Sequence, residues 1–429
     1  MEILIKNIDV IYSANQEMIN NGYIIIKDKL ITEVGSGYHE DQEHNKYDQV
    51  IDGRGKIALP GLVNCHTHAG MTLLRGYADD LPLNKWLNDK IWPYEAGLNS
   101  DDIYWGTMLA IIEMIRTGTT LFADMYFSMD LVAKAVQESG IRAVLSTGLI
   151  EANDGRKGLI ESLEFSRKWM GGADGRITTM LGPHAPYTCS EGYLREIIDL
   201  SNEHNLPVNI HLAETKGEYA EIEKEYGLSP VKYLNNIGLF SRPVVAAHCV
   251  YLDDEDIDIM ASNQVGVVYN PASNMKLGSG IAPICKMIDK DIKVGIGSDG
   301  VSSNNNLDLI EEARLGSYLQ KVDKLNPTVM DVHSLLKMLT LSGSRVLQLG
   351  DNLGIIAQGN LADIILVNIS NNSFYYPHHN NLSNLFYAGS GRDVDTVIIN
   401  GKIVMNKKNI LTIDVEKIYY EVERIIKEK

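Results

Sequence analysis

The chain has 429 residues, 45% of them apolar and 22% charged, values that exclude a disordered or collagen-like polypeptide. At roughly 150 residues per domain, this length holds two or three domains, or one large barrel with an appendage. A formal net charge of −17 repels phosphate backbones and anionic lipid, which argues against nucleic-acid or membrane-surface binding.

In chain order, residues 1–57 read as hairpin-like β structure. Short apolar runs (Ile3–Ile5, Tyr23–Ile26, Ile31–Val34) are broken by Lys27-Asp28-Lys29 and closed by Gly35-Ser36-Gly37. The polar loop Tyr38–Asp48 is expected to be flexible. Eight β-prone runs follow, at Ile57–Val63, Thr119–Ala123, Arg142–Leu149, Ile177–Leu181, Pro207–Ile210, Pro243–Ala247, Val265–Tyr269 and Lys293–Ile296. Helix-like stretches lie between several of them: Asp101–Arg116, Met129–Ser139, Ser190–His204 and Pro283–Asp289. This alternation predicts a (β/α)8 TIM barrel, an α/β fold whose active site is built at the C-terminal ends of the strands. The acidic run Asp253-Asp254-Glu255-Asp256 is expected to open a helix, where negative charge suits the dipole.

β-prone runs return at Asp363–Val367 and Thr396–Ile399, and Asn400-Gly401-Lys402 ahead of Ile403–Met405 predicts a hairpin. The Asn/His-rich stretch Asn371–Asn384 is expected to be flexible, and Val415–Lys429 to be an amphipathic helix packed outside. Two β-rich ends around a different middle predict a small β-sandwich domain from residues 1–57 and 359–429, enclosing a catalytic barrel at 58–358. Four cysteines (Cys65, Cys189, Cys249, Cys285) with no CxxC fit a reducing compartment. The start shows no basic stretch followed by an apolar core, and no apolar run approaches the ~20 residues that span a bilayer. A soluble cytoplasmic protein is expected.

Chemically capable residues cluster just after the strand runs. His66-Thr67-His68 follows the first, and residues i and i+2 of a strand share a face, so both imidazoles can converge on one cation. His211-Leu212-Ala213-Glu214 ends the fifth run, Ala247-His248-Cys249 the sixth and Gly297-Ser298-Asp299-Gly300 the eighth. Any one histidine reads best as a satisfied buried residue. Three imidazoles and a carboxylate at separate strand ends instead suit one zinc-like ion with room left for water. The fourth run ends Gly182-Pro183-His184-Ala185-Pro186 and offers no lysine or carboxylate to bridge two metals. A single metal is therefore expected, with His248 free to hydrogen-bond a water on it.

These segments, together with Ala69-Gly70-Met71-Thr72-Leu73-Leu74-Arg75-Gly76, Trp92-Pro93-Tyr94-Glu95 and Asn270-Pro271-Ala272-Ser273-Asn274-Met275-Lys276-Leu277-Gly278, resemble the amidohydrolase superfamily. Within it they are most similar to the 5-methylthioadenosine/S-adenosylhomocysteine deaminases, in a branch with the triazine hydrolases. The resemblance covers nearly the whole chain. It implies one divalent metal, zinc first and iron second, held by His66, His68, His211 and Asp299, which activates a water. Asp299 and His248 would orient and deprotonate that water, and Glu214 would carry a proton to the ring nitrogen beside the carbon that loses its amine.

By the same resemblance Glu95 accepts hydrogen bonds from vicinal ribose hydroxyls, His184 contacts the nucleoside, and Arg156 pairs with a homocysteine carboxylate. A plain surface arginine is the alternative for Arg156. Trp86 covers the base or thioether, or else is a core or lid tryptophan. Some relatives carry a further arginine at the end of strand three, where Thr147 stands here. That departure favours methylthioadenosine or broad adenosine-type specificity over a carboxylate-bearing substrate.

Two other readings keep their place: a guanine- or triazine-type hydrolase using the same mononuclear site, and an inactive barrel serving as a scaffold. The expected partner is a small nucleoside, with no nucleic acid or membrane, and a homo-oligomer is left open. Gly295-Ile296-Gly297-Ser298-Asp299-Gly300 satisfies the dinucleotide fingerprint GxGxxG. The residues after it open a helix poorly, and Asp299 would face the pyrophosphate, so it is set aside. The HxE and PCxxC elements of the other zinc deaminases are missing from the sequence. His39, His44, His204, His333, His378 and His379 read as structural or solvated, and Cys65 and Cys249 as packing residues.

Overall fold

The computed structural model describes residues 1–37, 46–81 and 83–429. Most of the Tyr38–Asp48 loop, with His39 and His44, lies outside the described residues.

Eight parallel strands run in chain order around a barrel: Leu62–Thr67, Thr119–Tyr126, Arg142–Leu149, Ile177–Pro183, Val208–Leu212, Val244–His248, Gly266–Tyr269 and Val294–Ile296. Alternate residues serve two cores because successive strand side chains point to opposite faces. Val63, Cys65, Leu121, Ala123, Val144, Met180, Val245, Ala247 and Val268 fill the interior. Leu62, Phe122, Leu145 and Leu181 pack outward among the helices.

Side chains bring the eighth strand to the first. Asn64 Nδ2 donates to Ser298 Oγ (2.7 Å), the Ser298 N–H donates to Asn64 Oδ1 (2.9 Å), and the Asp299 N–H donates to the His66 carbonyl (2.9 Å). This seam places the His66/His68 segment beside Asp299.

The first expected run, Ile57–Val63, is two strands. Lys56–Pro60 belongs to the terminal sheet and Leu62–Thr67 to the barrel. Between them Gly61 lies against the second barrel strand, where a side chain would sit 2.1 Å from Thr120 Oγ1. The continuous apolar character conceals this break, because both strands are buried on both faces.

Both chain ends form one nine-stranded mixed sheet separate from the barrel. Lys56–Pro60 joins the two ends, running parallel to Glu2–Ile11 and antiparallel to Ile364–Asn368. Its core is rich in isoleucine, with Ile3, Ile5, Ile24, Ile26, Ile364 and Ile398 in one cluster. The expected hairpin pairs Val394–Ile399 with Lys402–Asn406, turning through Asn400 (φ 52°) and Gly401 (φ 71°). Gly401 is required twice over, since a side chain there would also collide with the Asp28 carbonyl at 1.7 Å. Arg142 at the start of the third barrel strand makes a buried bidentate pair with Asp363 (both 3.0 Å), tying barrel to sheet.

The Ser100–Arg116 helix is capped reciprocally by Asn99 and Asp102, and the C-terminal helix Val415–Glu428 packs on it. Asp253 caps Asp254–Ser262, as the acidic run implied. The Asn371–Asn384 stretch is ordered rather than loose. Tyr375 is fully buried, Asn372 and Tyr375 donate to Asp393, and Asn384 donates to the Tyr375 carbonyl. A single helical turn, Val301–Asn304, does follow the GxGxxG segment. No described helix is long and apolar enough to cross a membrane.

Candidate functional site

At the C-terminal rim of the barrel the strand-end residues converge. The His66 ring centroid lies 4.9 Å from that of His68, 4.8 Å from His211 and 5.6 Å from His248. Asp299 Oδ1 stands 3.4 Å from His66 Nε2 and 3.2 Å from His68 Nε2. Two overlapping sets, His66/His68/Asp299 and His66/His211/His248, have ligand atoms close enough to share one ion.

Neighbouring hydrogen bonds orient these imidazoles. His68 Nδ1 donates to the Met125 carbonyl and His211 Nδ1 to the His184 carbonyl, each at 2.6 Å, so both turn Nε2 toward the centre. The two Nε2 atoms lie 3.3 Å apart. At His248 side-chain amides take the place of the carbonyls. Asn274 Nδ2 (3.0 Å) and Asn270 Nδ2 (3.4 Å) stand at its Nδ1, which turns Nε2 toward the site. Asp299 Oδ2 accepts from Ser273 Oγ (2.6 Å) and Ser303 Oγ (3.1 Å).

Burial sets the electrostatics. It pulls His66 down to about 4 and His248 to about 4. Burial lowers His68 too, but its bond to Asp299 and that residue's charge prevail and raise it to about 9. Against the effect of burial, His66 and His68 hold Asp299 well below the usual carboxylate range.

This donor set fits a divalent cation, whose ordinary ligands are bare imidazole nitrogens and an ionised carboxylate. Both nitrogens of buried His66 lack a hydrogen-bond partner, and coordination would satisfy one of them.

The cluster floors a pocket of about 780 Å³ open to solvent. Glu214 enters it with Oε2 3.8 Å from His248 Nε2 and Oε1 3.5 Å from Ser279 Oγ. Burial and then the Asp299 charge raise Glu214 to about 8, so it keeps a proton near neutrality. Glu95 also lines the pocket and accepts from Tyr126 Oη at 2.5 Å. His184 lines it with Nδ1 on Thr188 Oγ1 (3.1 Å), its basicity lowered to about 3 by burial. Trp86 is buried, its Nε1 donating to the Ala78 carbonyl (3.0 Å), and turns its ring to the pocket.

Two positions singled out in the sequence lie outside the pocket lining. Arg156 does not line this pocket: its side chain is 84% exposed and its nearest carboxylate, Glu196, is 3.9 Å away. It directly follows Gly155, whose φ of 51° and ψ of −148° interrupt the Glu151–Trp169 helix. Thr147 does not face the site either. It points outward into a groove with Met129, Leu131 and Phe165, and the pocket-facing residue of that strand is Gly148. Strand alternation fixes this, because Ser146 already points inward, donating to the Asp124 carbonyl.

Sequence reading also missed the residues that hold the machinery in place. Glu218 is buried and accepts the N–H groups of Ala213 and Glu214 (2.7 Å each). Asp124 accepts from Thr67 Oγ1 (2.9 Å) and the Ala69 N–H (2.8 Å). The polar run Asn270–Asn274 after the seventh strand was the available clue to the His248 and Asp299 partners. Backbone strain concentrates here as well: Ala213, His248, Cys249 and Asp299 take φ values of 51°, 74°, 50° and 60°.

A closed parallel barrel with histidines and an aspartate at its C-terminal rim defines a metal-dependent hydrolase architecture. The chain matches the amidohydrolase family over residues 57–404 and belongs to it. It is 58% identical to the 5-methylthioadenosine/S-adenosylhomocysteine deaminase of Halothermothrix orenii across 100% of both chains. It superposes with a TM-score of 0.93, at 31% identity, on a zinc-bound adenosine deaminase of Xanthomonas campestris, covering 100% of this chain and 99% of that one. The zinc-complexed atrazine chlorohydrolase of Arthrobacter aurescens shares the fold, with a TM-score of 0.90 at 22% identity over 99% of this chain and 100% of that one.

Proposed function

We propose that the chain is a metal-dependent aminohydrolase, acting at residues 58–358, that removes the 6-amino group of adenine nucleosides bearing a 5′ thioether. The products are ammonia and the inosine analogue. The observation that carries this reading is the largely buried Glu214 carboxyl, aimed into one pocket with His68, His211 and Asp299 and 3.8 Å from His248 Nε2. The printed names of the relatives agree with it.

His66, His68, His211 and Asp299 would hold the divalent ion, read as zinc with iron second, which when bound supplies Lewis-acid activation of water. Glu214 donates to ring N1, making C6 electrophilic, and recovers its proton from the water. His248, through Nε2, orients the oxygen that adds to C6. Asp299, ionised and steadied by Ser273 and Ser303, receives a proton and returns it to the departing amine. The two hydrogens of water thus end on N1 and on ammonia, as the C6–O bond forms and the C6–N bond breaks. Glu95, fixed by Tyr126, accepts from the ribose hydroxyls, and His184 and Trp86 line the nucleoside. A cytoplasmic location fits such small-molecule chemistry.

The test is ammonia release and loss of adenosine-type absorbance with 5′-methylthioadenosine, S-adenosylhomocysteine and adenosine, with and without a chelator. No conversion of any of the three by metal-replete protein would reject the reading. Glu95→Ala separates nucleosides from free heterocycles: it should depress nucleoside turnover, and indifference would favour a guanine- or triazine-type substrate.

A further inference from the structure

Polar groups in the pocket are unevenly placed. His68, His211, Glu214 and Asp299 occupy the floor and Glu95 one flank, whereas Trp86, Leu87, Trp92, Phe127, Ile150 and Leu277 make an apolar wall toward solvent. Among the described residues lining the pocket there is no lysine or arginine, and the acidic side chains there are Glu95, Glu214 and Asp299. From these observations we infer that the site selects nucleosides whose 5′ group is neutral and apolar over those whose 5′ group ends in an amino-acid zwitterion. This ranking rests on the nucleoside-deaminase reading above and deepens it.

The physical reason is desolvation without compensation. An α-carboxylate drawn along a wall of Trp, Leu, Phe and Ile side chains loses water and gains no cation, and the Glu95 carboxyl on the flank offers it no counter-charge. A methylthio group on the same wall only sheds apolar surface, and sulfur packs well against aromatic edges.

Gly148 marks where a counter-charge is missing. It sits on the third barrel strand facing the pocket, and a side chain built there would meet Met125 Cγ at 3.6 Å and the Tyr126 carbonyl at 3.7 Å, ordinary contact distances. The backbone would therefore accept a longer residue, and this chain places none. Arg156, on the following helix, keeps its guanidinium in solvent beside Glu196.

The experiment compares kcat/KM of the metal-loaded enzyme for 5′-methylthioadenosine and S-adenosylhomocysteine, with Kd for both measured by calorimetry on Glu214→Gln. The expected result favours methylthioadenosine by roughly tenfold or more, the difference residing in KM and Kd rather than kcat. Gly148→Arg should narrow that ratio by improving the zwitterionic substrate. Leu87→Arg, on another wall, makes the same test if the glycine variant does not fold. In Arg156→Ala the ratio should be unchanged. Equal or better use of S-adenosylhomocysteine would overturn the inference, as would selective loss of its turnover in Arg156→Ala, while leaving the deaminase reading intact. Failure to deaminate either nucleoside would instead overturn the deaminase reading, and this ranking with it.

Discussion

The barrel rim and the terminal sheet use the same rare backbone conformation for opposite reasons. In the sheet, Asn7, Asn21, Asp28 and Asn400 are left-handed, types that tolerate positive φ in turns and bulges, with Lys407 and Lys408 besides in the last turn. At the rim the same conformation is taken by His248 and Asp299 and also by Ala213 and Cys249, for which it costs more. The surrounding hydrogen bonds explain how it persists: Glu218 grips the Ala213 and Glu214 amides, while the Val250 and Tyr251 amides both donate to the Ala213 carbonyl (3.0 and 2.9 Å). One region spends its interactions on stability, and the other on holding reactive groups in place.

That contrast can be broken at several points, the most severe being Glu214→Gln. It should lower kcat by about 10²–10⁴-fold with metal content and melting temperature nearly unchanged. Steady-state kinetics beside metal analysis and thermal unfolding would check this, and a large drop in stability would assign Glu214 to the fold instead. Ile364→Ala, in the fully buried core of the terminal sheet, should act the other way. A loss of about 2–5 kcal/mol in denaturant unfolding is expected, with turnover per folded molecule preserved.

A smaller effect is expected from Glu312, whose buried carboxyl accepts the Ala272 N–H (3.2 Å) and the Asn304 side-chain amide. Burial raises it from 4.5 to about 8, so the folded state binds its proton more tightly than the unfolded chain does. Its contribution to stability is then complete below pH 4.5 and is lost as pH climbs through about 8. Glu312→Gln should flatten the stability profile across that window, measured by unfolding at successive pH values. An unchanged slope would place the dependence elsewhere. The smallest change is Ala213→Gly, which relieves left-handed strain and should stabilise the fold by about 1 kcal/mol. The matching change Asn400→Gly should be near neutral, and equal gains at both positions would erase the distinction between the two regions.

The eight strands, both chain ends and the clustered histidines were readable from local patterns, because strand alternation and the HxH spacing are short-range properties. What escaped was set by contacts between distant segments. Asn64 with Ser298, His248 with Asn274 and Arg142 with Asp363 leave no periodic trace in the chain. Thr147 was misjudged by one residue, and a single step on a strand exchanges inside for outside. Arg156 was placed by motif alone, whereas its helix carries it into solvent. The Asn371–Asn384 stretch has a loop-like composition, yet its amides are consumed by specific partners.

The seam between the eighth strand and the first has a consequence for the order of events during synthesis. His66 and His68 emerge early, but Asp299 completes their cluster only after the whole barrel sequence has left the ribosome. Until then the two early imidazoles have no aspartate beside them, so a nascent chain halted within the barrel cannot assemble the full set of four donors.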